Sequence, residues 1–197
     1  MKNPAVFGFY GKTNTGKTKL IEKIVKKLTI YDFKVATIKK TDKKIGIDLE
    51  GKDTWIHSRA GAELVVLSSP IETDIIIKKN IPVQDIIKYV SEFEKYDVIL
   101  IEGANEPEIS KIRLGDIKKR ENTILDYHDN FEEIINLIKK EIDLQQISKN
   151  KISILVNGNV VPLSEFPANI IHNSIVGMIK SLKGVDKIDK IEIELNN

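Results

Sequence analysis

The sequence contains no cysteine, which excludes a disulfide framework, a cysteine-ligated zinc site and a thiol nucleophile. It also lacks a charge excess. Lys and Arg number 31 against 29 Asp and Glu, and the formal net charge of +2 is too balanced for a phosphate-coated nucleic acid partner. Any basic character must be local. No apolar run approaches the roughly 20 residues that cross a bilayer as a helix, so no membrane span is expected. The N-terminal Met1-Lys2-Asn3-Pro4 leads into a strand-like segment without the apolar stretch and small-residue cleavage site of a secretory signal, and cytoplasmic residence is expected. What the chain has in quantity is hydrophobic residues, 41% of its 197 positions, against 30% charged, the balance of a globular protein that can bury a core.

The apolar pattern alternates between strand and helix periods. Residues 5–10 form a short apolar run ended by a loop rich in Gly and Thr, which suits a buried strand. Leu20, Ile21, Ile24, Val25 and Leu28 then mark one face of a helix whose wet face carries Lys19, Glu22, Lys23, Lys26 and Lys27. Strands are predicted over 35–38 and 64–67, a short helix over 53–59, and a second amphipathic helix after Pro82 with Ile86, Ile87, Val90 and Phe93 as its stripe. The run Val98-Ile99-Leu100-Ile101 is continuously apolar, as a strand covered on both faces should be. Weaker strands over 109–114 and 123–125 precede a helix over 131–142 that Asp129 or Asn130 can cap. Strands alternating with helices predict an α/β fold with a mostly parallel sheet flanked by helices.

A polar stretch around Gln145, Gln146, Ser148, Lys149 and Asn150 marks a boundary near Ser148, dividing a domain over 1–147 from a small module over 148–197. Two short strands flank an Asn157-Gly158 turn, a helix is predicted over 168–182, and 191–195 alternate apolar with acidic residues like an edge strand. The result is a β-β-α-β appendage too small to be more than marginally stable alone.

Gly11-Lys12-Thr13-Asn14-Thr15-Gly16-Lys17-Thr18 fits the P-loop pattern, and it lies between a predicted strand and a predicted helix, where that pattern has physical meaning. The two glycines let successive N–H groups wrap a phosphate at the positive end of the helix dipole. Lys17 is placed to reach the β- and γ-phosphates and Thr18 to offer a hydroxyl to Mg²⁺. Residues 11–19, ending at Lys19 in the first helical turn, are the expected nucleotide contacts. A hard cation also needs a carboxylate, and Glu102, at the C-terminal end of the buried run and followed by Gly103, is the candidate. Asp97 starts that strand and would lie at the opposite end of the sheet. The loop after the second strand carries Lys39, Lys40, Asp42, Lys43, Lys44, Asp48 and Asp53. Asp48 or Asp53 can orient an attacking water, although Asp53 can equally cap the helix that contains Trp55 and His57.

Residues 11–18, the segment Gly51-Lys52-Asp53-Thr54-Trp55-Ile56-His57-Ser58-Arg59-Ala60-Gly61-Ala62, and Ile101-Glu102-Gly103 together resemble the MobB family, the molybdopterin-guanine dinucleotide biosynthesis adaptor proteins. The resemblance covers roughly residues 5–140. It implies a dimeric P-loop GTP-binding protein with weak, Mg²⁺-dependent hydrolysis that helps a partner guanylyltransferase attach GMP to molybdopterin. Its partners would be that enzyme, of MobA-like type, or a molybdoenzyme. By position, Gly16, Lys17 and Thr18 would contact nucleotide, with Asp48, Asp53 and Glu102 near the metal. The chain departs from the family in having Lys40, Asp42 and Lys43 where histidines are common, Ile56 where a basic residue is common, and a segment past Ser148 that shorter members lack.

Lys12, directly after the first loop glycine, resembles the lysine of MinD-like and nitrogenase-iron-protein-like NTPases that crosses to the other subunit's nucleotide. The Asn-Lys-x-Asp motif that reads guanine in many GTPases is absent after the predicted strand over 123–125, where only Asp126 and Asn130 stand in by location. GTP therefore rests on the resemblance, and ATP stays open. Two other functions share the phosphate cradle: a dethiobiotin-synthetase-like ligase or a kinase, with the appendage covering an acceptor site, and a non-catalytic nucleotide-gated scaffold.

Overall fold

A computed structural model describes residues 4–147, 152–184, 188 and 191–193. A five-stranded parallel sheet has the order β2-β5-β1-β6-β7, from β1 (Ala5–Gly11), β2 (Val35–Lys39), β5 (Val98–Glu102), β6 (Ser110–Leu114) and β7 (Thr123–Tyr127). The β5 strand is buried at Val98, Ile99, Leu100 and Ile101 because it lies between β1 and β2 and is covered on both faces.

Helix α1 (Lys17–Ile30) buries Leu20, Ile21, Ile24 and Leu28 against one face, where α4 (Phe131–Ile147) adds Ile134, Ile135, Ile138 and Ile142. Each such side chain contributes about 1.5–3 kcal/mol relative to exposure. On the opposite face α3 (Val83–Phe93) sets Val83, Ile87 and Val90 against Ile99, Ile101, Ala104 and Ile109. Pro82 stands at its N-cap, where a missing N–H costs no helical hydrogen bond. Asp97 does the local work expected of it, accepting the Lys34 backbone N–H at 2.8 Å.

One expectation needs correcting. The strand predicted over 64–67 does not join the parallel sheet. It is β3 (Leu64–Ser68) and pairs antiparallel with β4 (Thr73–Ile77), a strand the alternation of elements had not suggested. The two form a separate sheet with α2 (Asp53–Arg59) packed on β3. The reason is the tight turn at 69–72, closed by Ser69 N–H to the Glu72 carbonyl at 2.9 Å, which returns the chain at once.

In the C-terminal part, β8 (Ile154–Val156) and β9 (Asn159–Val161) form the expected hairpin around Asn157 and Gly158, both at positive φ (51° and 77°), followed by α5 (Glu165–Lys180). The edge strand expected over 191–195 is not formed by Ile191, Glu192 and Ile193, while Glu194 and Leu195 lie outside the described residues. Ser148, where the boundary was placed, also lies outside them. Among the described residues no helix is long and apolar enough to cross a membrane.

Candidate functional site

The chain leaves β1 at Gly11 and enters α1 at Lys17, so the loop lies at the C-terminal edge of the sheet. Gly11 is required sterically: a Cβ there would come within 2.4 Å of the Leu114 carbonyl and 2.8 Å of Thr15 Oγ1. Gly16, the N-cap of α1, has φ 86°, which residues with a Cβ rarely adopt. It makes no side-chain cap, so the first amides of α1 are left for another acceptor.

The Lys17 ammonium folds back over this loop and donates to the carbonyls of Gly11 at 3.0 Å and Lys12 at 2.6 Å, while Thr15 Oγ1 also donates to Lys12 O at 2.9 Å. Thr18 lies one residue into the helix. Its hydroxyl is 3.1 Å from both carboxylate oxygens of Glu102. Sheet register sets up this meeting, because Glu102 sits opposite Phe9 on one side and Lys39 on the other. Lys39 Nζ approaches Glu102 to 4.0 Å. Lys40 donates its backbone N–H to the Glu102 carbonyl at 2.8 Å, and its ammonium pairs with Glu106. Lys39, at the end of β2, and Lys40, at the start of the loop that follows, thus lie beside Glu102.

A hydroxyl and a carboxylate are hard oxygen donors. Among the described residues no group of three or more His, Cys, Asp or Glu could hold an ion by itself. A two-oxygen protein set that leaves its remaining positions to water and phosphate suits Mg²⁺ better than a soft or fully caged metal.

Asp48 has partners of its own. Its side chain is only 6% exposed and accepts Thr54 Oγ1 at 2.8 Å and Lys78 Nζ at 3.1 Å. Burial pushes its carboxyl up, but the hydrogen bonds from Thr54 and Lys78 outweigh this and hold it below the usual aspartate range. Asp53 is exposed in the first turn of α2, where Lys52 rather than Asp53 holds the N-cap position. His57 is exposed in the last turn, and Arg59 lies over the Trp55 ring at 5.4 Å. Lys12, Thr13, Asn14 and Lys19 are exposed around the loop, Asn14 at φ 64°.

Asp126 is held by Arg113 Nε at 2.7 Å and Lys119 Nζ at 3.0 Å, which keep its carboxyl below the usual range. Asn130 accepts the His128 backbone N–H at 2.8 Å and donates to Glu133 at 2.6 Å. Three basic residues next to the site were not singled out from sequence. Arg113, Arg120 and Lys111 look like ordinary surface charges until the fold brings backbone carbonyls to them. Lys111 is fully buried and donates to the carbonyls of Glu106 at 2.5 Å and Ile109 at 2.7 Å.

Residues 6–140 match a family model described as MobB, molybdopterin guanine dinucleotide synthesis protein B. A putative molybdopterin-guanine dinucleotide biosynthesis adapter protein of Methanocaldococcus jannaschii is 26% identical over 97% of this chain and 97% of its own length, so it shares the C-terminal part as well. The corresponding adapter protein of Haemophilus influenzae is 31% identical over 55% of this chain and 62% of its own. The crystal structure of Bacillus subtilis MobB superposes with a TM-score of 0.55 at 18% identity, covering 70% of this chain and 97% of that one, a likeness of fold.

Proposed function

The chain belongs to the MobB family, and on that footing we propose that it is a cytoplasmic nucleotide-binding adapter in molybdopterin guanine dinucleotide biosynthesis. It binds GTP with Mg²⁺ and hydrolyses it slowly. The contact between Thr18 and Glu102 carries the nucleotide part of this reading, because it joins the helix after the loop to an acid on the neighbouring strand. The loop amides and Lys17 bind the phosphates. Thr18 and Glu102 hold the metal, directly or through water. When bound, Mg²⁺ supplies charge neutralisation on the phosphate oxygens. Asp53, exposed at the start of α2, is the candidate to orient water, with Asp48 fixing that helix start through Thr54.

Calorimetric titration of the parent chain and of Lys17→Ala with Mg²⁺ and GTP tests this directly. The variant loses a charge-assisted contact worth about 1.5–3 kcal/mol, roughly ten- to a hundredfold in affinity. Equal binding by the two would defeat the assignment, and a parallel ATP titration decides the base. The adapter names of the relatives support a partner in molybdopterin-guanine dinucleotide biosynthesis, and the partner proposed is a guanylyltransferase or a molybdoenzyme. Retention of either on immobilised parent chain, and not on Lys17→Ala, would support that part.

A homodimer belongs to the same reading. Hairpin β3–β4 exposes Leu64, Val66 and Ile75 on one face, and β2 pairs only with β5 among the described residues, so apolar surface and a strand edge are both available to a second copy. Lys12 would then serve the partner's nucleotide, and hydrolysis by the parent should rise with protein concentration in a way that Lys12→Ala abolishes.

The ligase or kinase alternative needs the appendage near the phosphates, and the geometry disfavours it. The appendage meets α4 across a cavity of about 570 Å³ lined by Lys139, Lys140, Val160 and Pro162. Lys139 lies 4.4 Å from the ring of Tyr31, just beyond the C-terminal end of α1. That end is about 20 Å from the phosphate loop, given roughly 1.5 Å per helical residue.

A further inference from the structure

Residues 115–122 connect two adjacent parallel strands, β6 and β7, without the helix that such a crossover usually contains. Arg120 of this segment packs on Tyr10, which alternation along β1 puts on the α3 side of the sheet with Val6. Gly115 starts the crossing against the phosphate loop: a Cβ added there would lie 3.2 Å from Thr15 Cγ2. Arg113 then holds the segment by donating Nη1 to the Ile117 carbonyl at 2.6 Å. Arg120 makes the contacts that matter for the site. Its guanidinium lies over the Tyr10 ring, 4.7 Å from the centroid, and Nη1 donates to the Ala104 carbonyl at 2.5 Å.

Those two partners stand next to the two halves of the phosphate site. Tyr10 immediately precedes Gly11, where the loop begins. Ala104 is two residues beyond Glu102, and Gly103 between them has φ 86° with its Cα packed so closely on the Lys40 carbonyl that a Cβ would come within 2.4 Å. The sheet fixes Glu102 only up to its backbone, and beyond it the chain turns through the most permissive residue type. Arg120 pins the far side of that turn to the residue before the loop.

The hydrogen bonding around Tyr10 is closed. Thr123 Oγ1 spends its one proton on the Arg120 carbonyl, so Tyr10 donates its own proton to Thr123 Oγ1 at 2.7 Å and accepts the Arg120 backbone N–H at 3.0 Å. Tyr10 itself is 1% exposed. A planar guanidinium stacked on one face and donating at its edge is held far more narrowly than an ammonium would be.

We infer that Arg120 is a positioning residue of the nucleotide site, setting the Glu102 carboxylate against Thr18 by tying Ala104 to Tyr10. The inference rests on reading residues 11–18 as a nucleotide loop. Its effect therefore falls on the metal-linked part of binding: the ratio of GTP affinity with Mg²⁺ to affinity in EDTA.

The test measures that ratio by calorimetry, with thermal midpoints in the absence of nucleotide, for the parent, Arg120→Met, Arg120→Lys and Arg113→Met. Arg120→Met is expected to cut the Mg²⁺ enhancement about tenfold, a scale typical for groups that orient a metal ligand. Arg120→Lys, which keeps the donor without the plane, should fall between parent and Met. Arg113→Met loosens the same segment without removing the Ala104 contact, so it should lower the thermal midpoint and reduce the ratio by less than Arg120→Met does. If Arg120→Met does not fold, the ratio for Arg120→Lys decides. An unchanged ratio in the Arg120 variants, or an equal drop in Arg113→Met, overturns the inference while leaving the nucleotide reading intact. Failure of the parent to bind triphosphate removes both.

Discussion

The Thr18 hydroxyl and the Glu102 carboxylate meet at 3.1 Å to both oxygens, although the residues are 84 positions apart in the chain. Replacing Glu102 by Gln keeps the shape and an acceptor for Thr18 but removes the charge a hard cation needs. Glu102→Gln should weaken Mg²⁺-dependent GTP binding by roughly ten- to a hundredfold and leave binding in EDTA nearly unchanged. A variant whose two affinities both match the parent would show that Glu102 is not near the metal.

Gly11→Ala places a methyl group 2.4 Å from the Leu114 backbone oxygen, which cannot rotate away. Overpacking of this kind costs about 1–3 kcal/mol. Urea unfolding should show that loss of stability, together with weakened nucleotide binding because the loop is displaced at its first residue. Parent-like stability would mean that β1 and β6 are packed less closely there.

Lys111 is 0% exposed, and burial lowers its ammonium below the usual lysine range against the pull of Glu106 and Glu121. Lys111→Met relieves a buried charge but takes the Lys111 donor from the Ile109 carbonyl and leaves the Glu106 carbonyl with the Ile109 backbone N–H at 3.3 Å. A buried carbonyl that loses its donor costs about 1–3 kcal/mol, so a net destabilisation is expected in thermal melts. A raised melting temperature would show that the cost of burying the charge dominates.

Asp126 gives a pH signature. Hydrogen bonds from Arg113 and Lys119 hold its carboxyl below the unfolded-state value of about 3.9. Its contribution to stability is therefore full above that value and is lost as pH falls through the lower folded-state value. Asp126→Asn should be less stable than the parent near neutral pH, and the gap should close in acid. Denaturation at stepped pH checks this. A gap that stays constant below pH of about 3 would exclude the linkage.

Much of the fold was legible because its signals are short-range. The periodicity of Leu20, Ile21, Ile24 and Leu28 marks α1, and the run Val98-Ile99-Leu100-Ile101 marks a strand buried on both faces. Strand β4 was overlooked although Ile75, Ile76 and Ile77 are β-branched. Its neighbour β3 matched an alternating α/β pattern, and nothing in the pattern says that a strand leaves the main sheet. The site divides in the same way. The loop and Glu102 could be chosen from spacing and strand position, whereas Arg120 takes its meaning from Tyr10, 110 positions earlier, and Asp48 from Lys78, 30 positions later.

The sequence by itself determined the glycine-containing loop between β1 and α1, since two glycines, a lysine and a threonine at fixed offsets between a strand and a helix constrain backbone angles that depend only on near neighbours. It also determined which residues are apolar enough to be buried. Only the tertiary structure decided what stands beside that loop. Strand order sets β5 between β1 and β2, and the crossing segment carries Arg120 over Tyr10, because burying both faces of one sheet fixes long-range register that no local signal encodes.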